Sequence, residues 1–297
     1  MSNLSTNNCT AGSKLRQAAK EHAPLLMPGV INGYCAKLAE SEGFAALYLS
    51  GGGVAAAMGL PDLAVTTMHD VLLDAERITD ICAVPLLVDV DTGFGSWLSI
   101  ARTARAFCRA GVAGIHLEDQ TSAKRCGHRP NKQLATPAEM ADRVRAAVDA
   151  RPDDSFVIMA RTDALASESR QQAIARACLY AECGADMIFV EAAQTLDDYR
   201  DFRAACKKPV LANITEFGQT PMFSAPQLAA ADVDIMLFPL SAFRAMNQAA
   251  LNVYRAIRQD GNQQAVIPSM QTREELYDYL NYHAYEQKMD KLFGEDK

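Results

Sequence analysis

The sequence predicts an α/β protein folded as a (β/α)8 barrel of the TIM type, with extra C-terminal helices. Three observations carry that expectation. Eight short apolar, β-branched runs alternate with segments rich in helix-forming Ala, Arg and Leu, as buried parallel strands alternate with crossover helices. Most of the runs end in polar residues, the arrangement of a barrel whose chemistry stands at the C-terminal strand ends. No G-x-G-x-x-G turn follows the first run, which counts against an open doubly wound sheet.

The runs are taken in chain order. "LLMPGVI" (25–31) opens the barrel, and "AALYLSGGG" (45–53) follows. "PLLVDVDTG" (85–93), "GIHLED" (114–119) and "SFVIMARTD" (155–163) form its middle. "MIFVEA" (187–192), "PVLANITE" (209–216) and "DIMLFPL" (234–240) complete it. Between them lie helical stretches such as "DVLLDAERITDICA", "SIARTARAFCRAG", "TPAEMADRVRAAVDA" and "SRQQAIARACLYAECG", several closed by a glycine. After the eighth run, "SAFRAMNQAALNVYRAIRQDG" reads as one long helix. "TREELYDYLNYHAYEQKMDKLF" reads as another, with Tyr277, Tyr279, Tyr282 and Tyr285 spread over its faces, as suits an oligomerisation element.

Composition bounds the function. The chain has 297 residues, 49% of them apolar and 22% charged, enough to bury a sizeable core. No linker marks a boundary, so 1–297 is read as one barrel domain, about 20–260, with a helical extension at 265–297. A net charge of −7 argues against general affinity for nucleic acid or an anionic membrane. No run approaches the roughly 20 apolar residues of a membrane span. The polar N-terminus lacks a signal peptide's apolar core, so a cytoplasmic location is expected. The eight cysteines show no C-x-x-C spacing, which suits free thiols.

The strand ends collect the chemistry. Tyr48, Ser50, Gly51, Gly52 and Gly53 close the second run; Asp89 and Asp91 close the third; Glu118 and Asp119 close the fourth. Arg161 and Asp163, Glu191, and Asn213 with Thr215 close the next three. Asp89 and Asp91, two apart, offer hard oxygen ligands suited to Mg²⁺, although such residues also cap helices. The glycines present unobstructed backbone N–H groups to an anion, and Arg161 and Arg244 could clamp carboxylates.

One loop stands apart. "SAKRCGHRPNK" (122–132) surrounds Cys126 with Lys124, Arg125, His128, Arg129 and Lys132. Two further ligands at familiar spacing are missing, which argues against a zinc knuckle. Cationic neighbours predict a stabilised thiolate and a lowered Cys126 pKa, and Gly127 permits the loop to fold over a ligand.

"KRCGHRPNK", together with "SGGGVAA", "LLVDVDTGFG", "HLEDQ", "MARTDA", "LANITEFG" and "PLSAFRAMN", resembles the methylisocitrate lyase family of the isocitrate lyase/phosphoenolpyruvate mutase superfamily. The likeness runs in order from about residue 20 to the C-terminus. It implies Mg²⁺-dependent retro-aldol cleavage of a small tricarboxylate to pyruvate and succinate in the methylcitrate route of propionate breakdown. On that resemblance Cys126 is the general acid, His128 and Glu191 position substrate or relay the proton, and Tyr48 is the hydroxyl base. Asp89, Asp91 and Glu118 hold the metal, which stabilises a pyruvate enolate. Ser50, Gly51, Gly52, Gly127, Arg161, Asn213, Ile214, Thr215, Arg244 and Arg273 bind substrate. The resemblance also implies a homotetramer with swapped terminal helices. Val190, where the family pattern suggests proline, is expected to shape the pocket beside the substrate methyl group. Isocitrate and 2,3-dimethylmalate lyases remain alternatives, as does an oxaloacetate decarboxylase.

Overall fold

The helices start where side chains replace missing backbone partners. Thr67 and Asp70 form a reciprocal capping box at the start of one helix, and Thr136 caps another whose first residue is Pro137. Two helices end at glycines in the left-handed region, Gly111 (φ 75°) and Gly184 (φ 103°), where a Cβ would be strained. These are among the glycines that the sequence places after helical stretches.

The computed structural model describes residues 10–129 and 131–294; Cys9, Pro130 and the last three residues of the extension lie outside the described residues. The chain runs α1 (Ala11–Glu21), β1 (Leu25–Pro28), α2 (Gly33–Ser41), β2 (Leu47–Leu49) and α3 (Gly51–Ala57). Then come α4 (Met68–Thr79), β3 (Leu86–Asp89), α5 (Trp97–Arg109), β4 (Gly114–Glu118) and α6 (Pro137–Ala150). The second half has β5 (Val157–Thr162), α7 (Arg170–Glu182), β6 (Met187–Val190), α8 (Leu196–Cys206), β7 (Val210–Asn213), α9 (Ala225–Ala229) and β8 (Ile235–Phe238). Helices α10 (Ser241–Asp260), α11 (Arg273–Leu280) and α12 (Tyr282–Phe293) follow.

All eight predicted runs contain a strand, and each strand is shorter than its run, because the polar ends leave the ladder for the rim. The strands pair in parallel in the order β1-β8-β7-β6-β5-β4-β3-β2. Gly29 bridging Tyr48 joins the two ends of that order, and the Val30 N–H donates to the Tyr48 carbonyl at 2.8 Å. Side chains alternate across this wall. One set (Met27, Leu87, Met159, Phe189, Leu211, Leu237) fills the interior above Leu15 of α1. The other (Val88, Ile115, Ile158, Ile188, Val210) packs under the helices.

Two expectations change. The aromatic C-terminal helix is two helices, broken where Asn281 takes a left-handed conformation (φ 52°) that asparagine tolerates. Val190 is fully buried in the layer between sheet and helices, because its neighbour Phe189 takes the inward position; it does not face the substrate pocket. Helices α10, α11 and α12 bury none of their residues. Among the described residues no helix is long and apolar enough to cross a membrane.

Two phenylalanines test where the core lies. Phe202 is fully buried and Phe217 is 94% exposed. Phe202→Ala is expected to cost about 3–5 kcal/mol, and Phe217→Ala no more than about 0.5 kcal/mol. Chemical denaturation of both variants checks this, and equal losses would place the core wrongly.

Candidate active site

The inward columns of the barrel change character as they rise. Val157 and Met159 lead to Arg161 and Asp163 on β5 and just beyond it, and Phe189 leads to Glu191 past β6. Leu87 leads to Asp89 on β3, and Leu211 to Asn213 on β7. The period of two that fills the core therefore aims charged groups at its upper end.

Arg161 is the hub. Its guanidinium reaches Asp163 at 2.9 Å, Glu191 at 3.1 Å and Glu118 at 3.2 Å, and lies over the Phe189 ring at 5.2 Å. Burial alone would raise Glu191, but Arg161 and His128 outweigh it and hold this carboxyl well below its usual range. Glu118 goes the other way, because burial exceeds the help from Arg161 and Lys124. Arg161 thus spends its N–H groups on protein carboxylates. It organises the rim more than it clamps a ligand, unlike the clamp that the sequence suggests.

A second cluster lies beside it. Asp91 stands past the end of β3 with φ 50°, and its N–H donates to Asp89 Oδ1 at 3.1 Å. A turn, and not the strand pleat, brings the two carboxylates together. The point where a Cβ on Gly51 would sit lies 3.2 Å from an oxygen of each. Gly51 N–H donates to Asp89 Oδ2 at 3.1 Å, and Ser50 Oγ accepts from Gly53 N–H at 3.2 Å as the cap of α3. Lys124 extends from the basic loop between Asp62 and Asp91, 2.7 Å from Asp91 Oδ1. Burial would lower this ammonium, but Glu118, Asp91, Asp89 and Asp62 keep it firmly charged. Burial and the Asp89 charge push Asp91 up to about 6.

The loop is fastened at three places. Lys124 holds its first part; Lys132, buried, bonds the Gly127 carbonyl and Asp163 Oδ1, the latter at 2.7 Å. His128 lies with Nε2 3.0 Å from Glu191 Oε1 and Nδ1 3.0 Å from Gln219 N. A Cβ on Gly127 would come within 2.4 Å of Arg161 and 2.6 Å of Glu191, so only glycine allows this approach.

Cys126 corrects an expectation. Its thiol pKa is raised above the usual 9.0, not lowered, because burial outweighs the His128 main-chain N–H and Arg161. The cations that flank it in sequence are engaged elsewhere, Lys124 with aspartates and Lys132 with Asp163. The thiol is protonated at neutral pH, as an acid requires. The Tyr48 hydroxyl lies 2.8 Å from His116 Nε2, and burial together with Asp89 raises its pKa well above the usual 10.0. Burial and the Asp89 charge therefore favour the protonated hydroxyl.

A cavity of about 90 Å³ brings together Tyr48, Ser50, Gly52, Asp62, Asp89 and Lys124 with Cys126, Gly127, His128, Arg161 and Phe189. Glu191, Asn213, Thr215 and Arg244 complete most of the rest of its lining. It is smaller than the roughly 300 Å³ of a small ligand site, with the 122–132 loop lying across it. Glu118, Asp91 and Gly51 stand just behind this surface in contact with lining residues. Ile214 is buried in the outer core layer and does not line the cavity. Arg273 sits exposed at the start of α11 and also lies outside the lining.

The donor set suits Mg²⁺. Asp89, Asp91 and Glu118 offer only oxygen, and Glu118 Oε1 is buried without a hydrogen-bond partner. Among the described residues no three His, Cys, Asp or Glu side chains form a closed metal cage. Sequence reasoning gave no role to His116 or Gln219, and none to Lys132 or Lys124 beyond a loop charge. Two lysines in one loop of an acidic chain were the available signal for the latter pair; Gln219 offered none.

The phosphoenolpyruvate phosphomutase family model matches residues 15–258. A Vibrio cholerae 2-methylisocitrate lyase is 58% identical over 291 residues, spanning 96% of this chain and 94% of that protein. The crystal structure of 2,3-dimethylmalate lyase, a PEP mutase/isocitrate lyase superfamily member, superposes with a TM-score of 0.88 at 33% identity, covering 96% of each chain. Phosphonopyruvate hydrolase complexed with oxalate and Mg²⁺ gives a TM-score of 0.85 at 27% identity, covering 96% of this chain and 100% of that one. With its barrel, its carboxylate rim and this likeness over nearly its whole length, the chain belongs to the 2-methylisocitrate lyase family of the phosphoenolpyruvate mutase/isocitrate lyase superfamily.

Proposed function

We propose that the protein is a Mg²⁺-dependent carbon–carbon lyase that cleaves 2-methylisocitrate to pyruvate and succinate in the cytoplasm, in the methylcitrate route of propionate breakdown. One observation carries the reading: the half-buried thiol of Cys126 shares a cavity with Asp89, and Asp91, bonded to Asp89, stands directly behind it. The name of the 58% identical relative supports the substrate.

The bond accounting assigns the residues. The C2 hydroxyl loses its proton, its oxygen becomes the pyruvate carbonyl, and the C2–C3 electron pair passes to the succinate half. The pair therefore does not rest on a pyruvate enolate, as the family resemblance had implied. Cys126 delivers a proton to that carbon, so one proton moves in net from the C2 hydroxyl to C3. Asp89 and Asp91, with Glu118 behind them, would hold Mg²⁺, which would supply positive charge beside the substrate hydroxyl. Tyr48, fixed by His116 at 2.8 Å, is the residue placed to receive the hydroxyl proton, as its phenolate. Among the described residues Arg244 has Glu216 as its one ion-pair neighbour, at 3.7 Å, which leaves it available to a substrate carboxylate. The Ser50–Gly52 turn, Gly127, Asn213 and Thr215 supply further contacts to the carboxylates.

The unburied α10, α11 and α12 support a homotetramer with exchanged terminal helices. They expose Leu251, Tyr254, Ile257, Tyr285, Met289 and Phe293. A second reading, 2,3-dimethylmalate as substrate, is favoured by the 33% identical structure alone.

Three measurements test the proposal. Methylisocitrate is expected to release pyruvate, and EDTA to abolish that release; glyoxylate from isocitrate as the main product would sink the assignment. Cys126→Ser is expected to lower kcat by about 10²–10⁴-fold with binding retained, whereas a decarboxylase would keep most of its activity. Since the acid must be protonated, activity persists below the raised thiol pKa and is lost as pH rises through it. The alkaline limb of kcat is expected above pH 9.0, and a limb near neutrality would remove Cys126 from this role.

A further inference from the structure

We infer that Gln219, on the connection between β7 and α9, is a positioning residue that clasps His128 at both ends and holds its ring as the Nε2–H tautomer. The inference rests on the function proposed above for its bearing on catalysis. Its geometric part stands independently.

The two ring nitrogens have partners of fixed character. The Gln219 main-chain N–H lies 3.0 Å from His128 Nδ1, and a backbone amide can only donate, so Nδ1 accepts. On the opposite side Nε2 lies 3.0 Å from Glu191 Oε1. Arg161, 3.1 Å from the other Glu191 oxygen, helps keep that carboxylate ionised, so it can only accept and Nε2 must donate. Asn213 Nδ2, 3.4 Å from Nε2, is a donor facing a donor and adds no bond there. It serves Glu191 instead, at 3.3 Å. A second proton, on Nδ1, would confront the Gln219 N–H.

The side chain completes the clasp. Gln219 Nε2 donates to the His128 carbonyl at 3.0 Å, so one residue grips the ring and the main chain of His128 together. Cys126 stands two residues before His128 on the same loop. Gln219 therefore fixes Cys126 at one remove, from a loop on the far side of the cavity. Gly218 is the space that this contact needs. A Cβ there would lie 2.9 Å from His128 Nδ1, 3.0 Å from its Cε1 and 2.8 Å from Thr215 Cγ2.

Magic-angle-spinning ¹⁵N NMR of histidine-labelled protein reads the tautomer without reference to activity, with His128 identified by its loss in His128→Asn. At neutral pH the wild type is expected to show a bare Nδ1 and a protonated Nε2. Gly218→Ala is expected to abolish that signature and lower kcat on the order of 10²-fold, with its denaturation midpoint unchanged. Gln219→Met keeps the backbone donor and loses the side-chain bond. It is expected to retain the tautomer and lower kcat about fivefold with little change in KM. A protonated Nδ1 in the wild type, or a Gly218→Ala variant with wild-type kcat and signature, would overturn the clasp. Failure to release pyruvate in the wild type would instead overturn the proposed function and leave the NMR test standing.

Discussion

The site is organised around one buried cation. Arg161 is in contact with Glu118, Asp163 and Glu191, each of which is almost wholly buried. A carboxylate removed from water is costly unless it is paired and hydrogen-bonded, and breaking such a pair leaves an uncompensated charge. The guanidinium offers five donors in a rigid plane, so it can satisfy several acceptors at once where lysine could not. Without it the inward columns could not end in acids, and the rim would have to be apolar or wet.

Around that hub the acids still outnumber the bases. Asp89 and Asp91 have only Lys124 close by as a firmly charged partner, since burial lowers the pKa of His116 to about 4 and leaves it neutral. The remaining negative charge is what a divalent cation and a positively clamped substrate would complement. The same field explains why Lys124 and Lys132 leave Cys126 alone. Each lysine finds a buried carboxylate closer to hand, and each such bond also pulls the loop down over the cavity. The lysine bonds that hold the loop over the cavity, and the burial that raises the thiol pKa, then follow from one distribution of charge.

Closure also joins parts of the chain that are distant in sequence. His128 comes from the connection after β4, Glu191 from the end of β6 and Gln219 from the connection after β7. Segments that follow three different strands, β4, β6 and β7, meet at one imidazole. A barrel does this readily because its strand ends share one mouth.

Much of this was legible in the chain. Eight β-branched runs with polar ends predict parallel strands and one functional rim, because the alternation of core and helix layers is a local property of each run. Asp89 and Glu191 could be nominated for the same reason, since each stands at or just beyond a strand end, and Cys126 by the charged loop around it. Tertiary structure alone decided the charge states and the partners. Cys126 has cationic neighbours in sequence, yet burial, which sequence does not encode locally, raises its pKa. Asp89 and Asp91 meet through a left-handed turn, and Arg161 belongs to the protein's own acids. Neighbours along the chain are set by covalent order, whereas desolvation and ion pairing depend on which groups the closed barrel brings within a few ångströms.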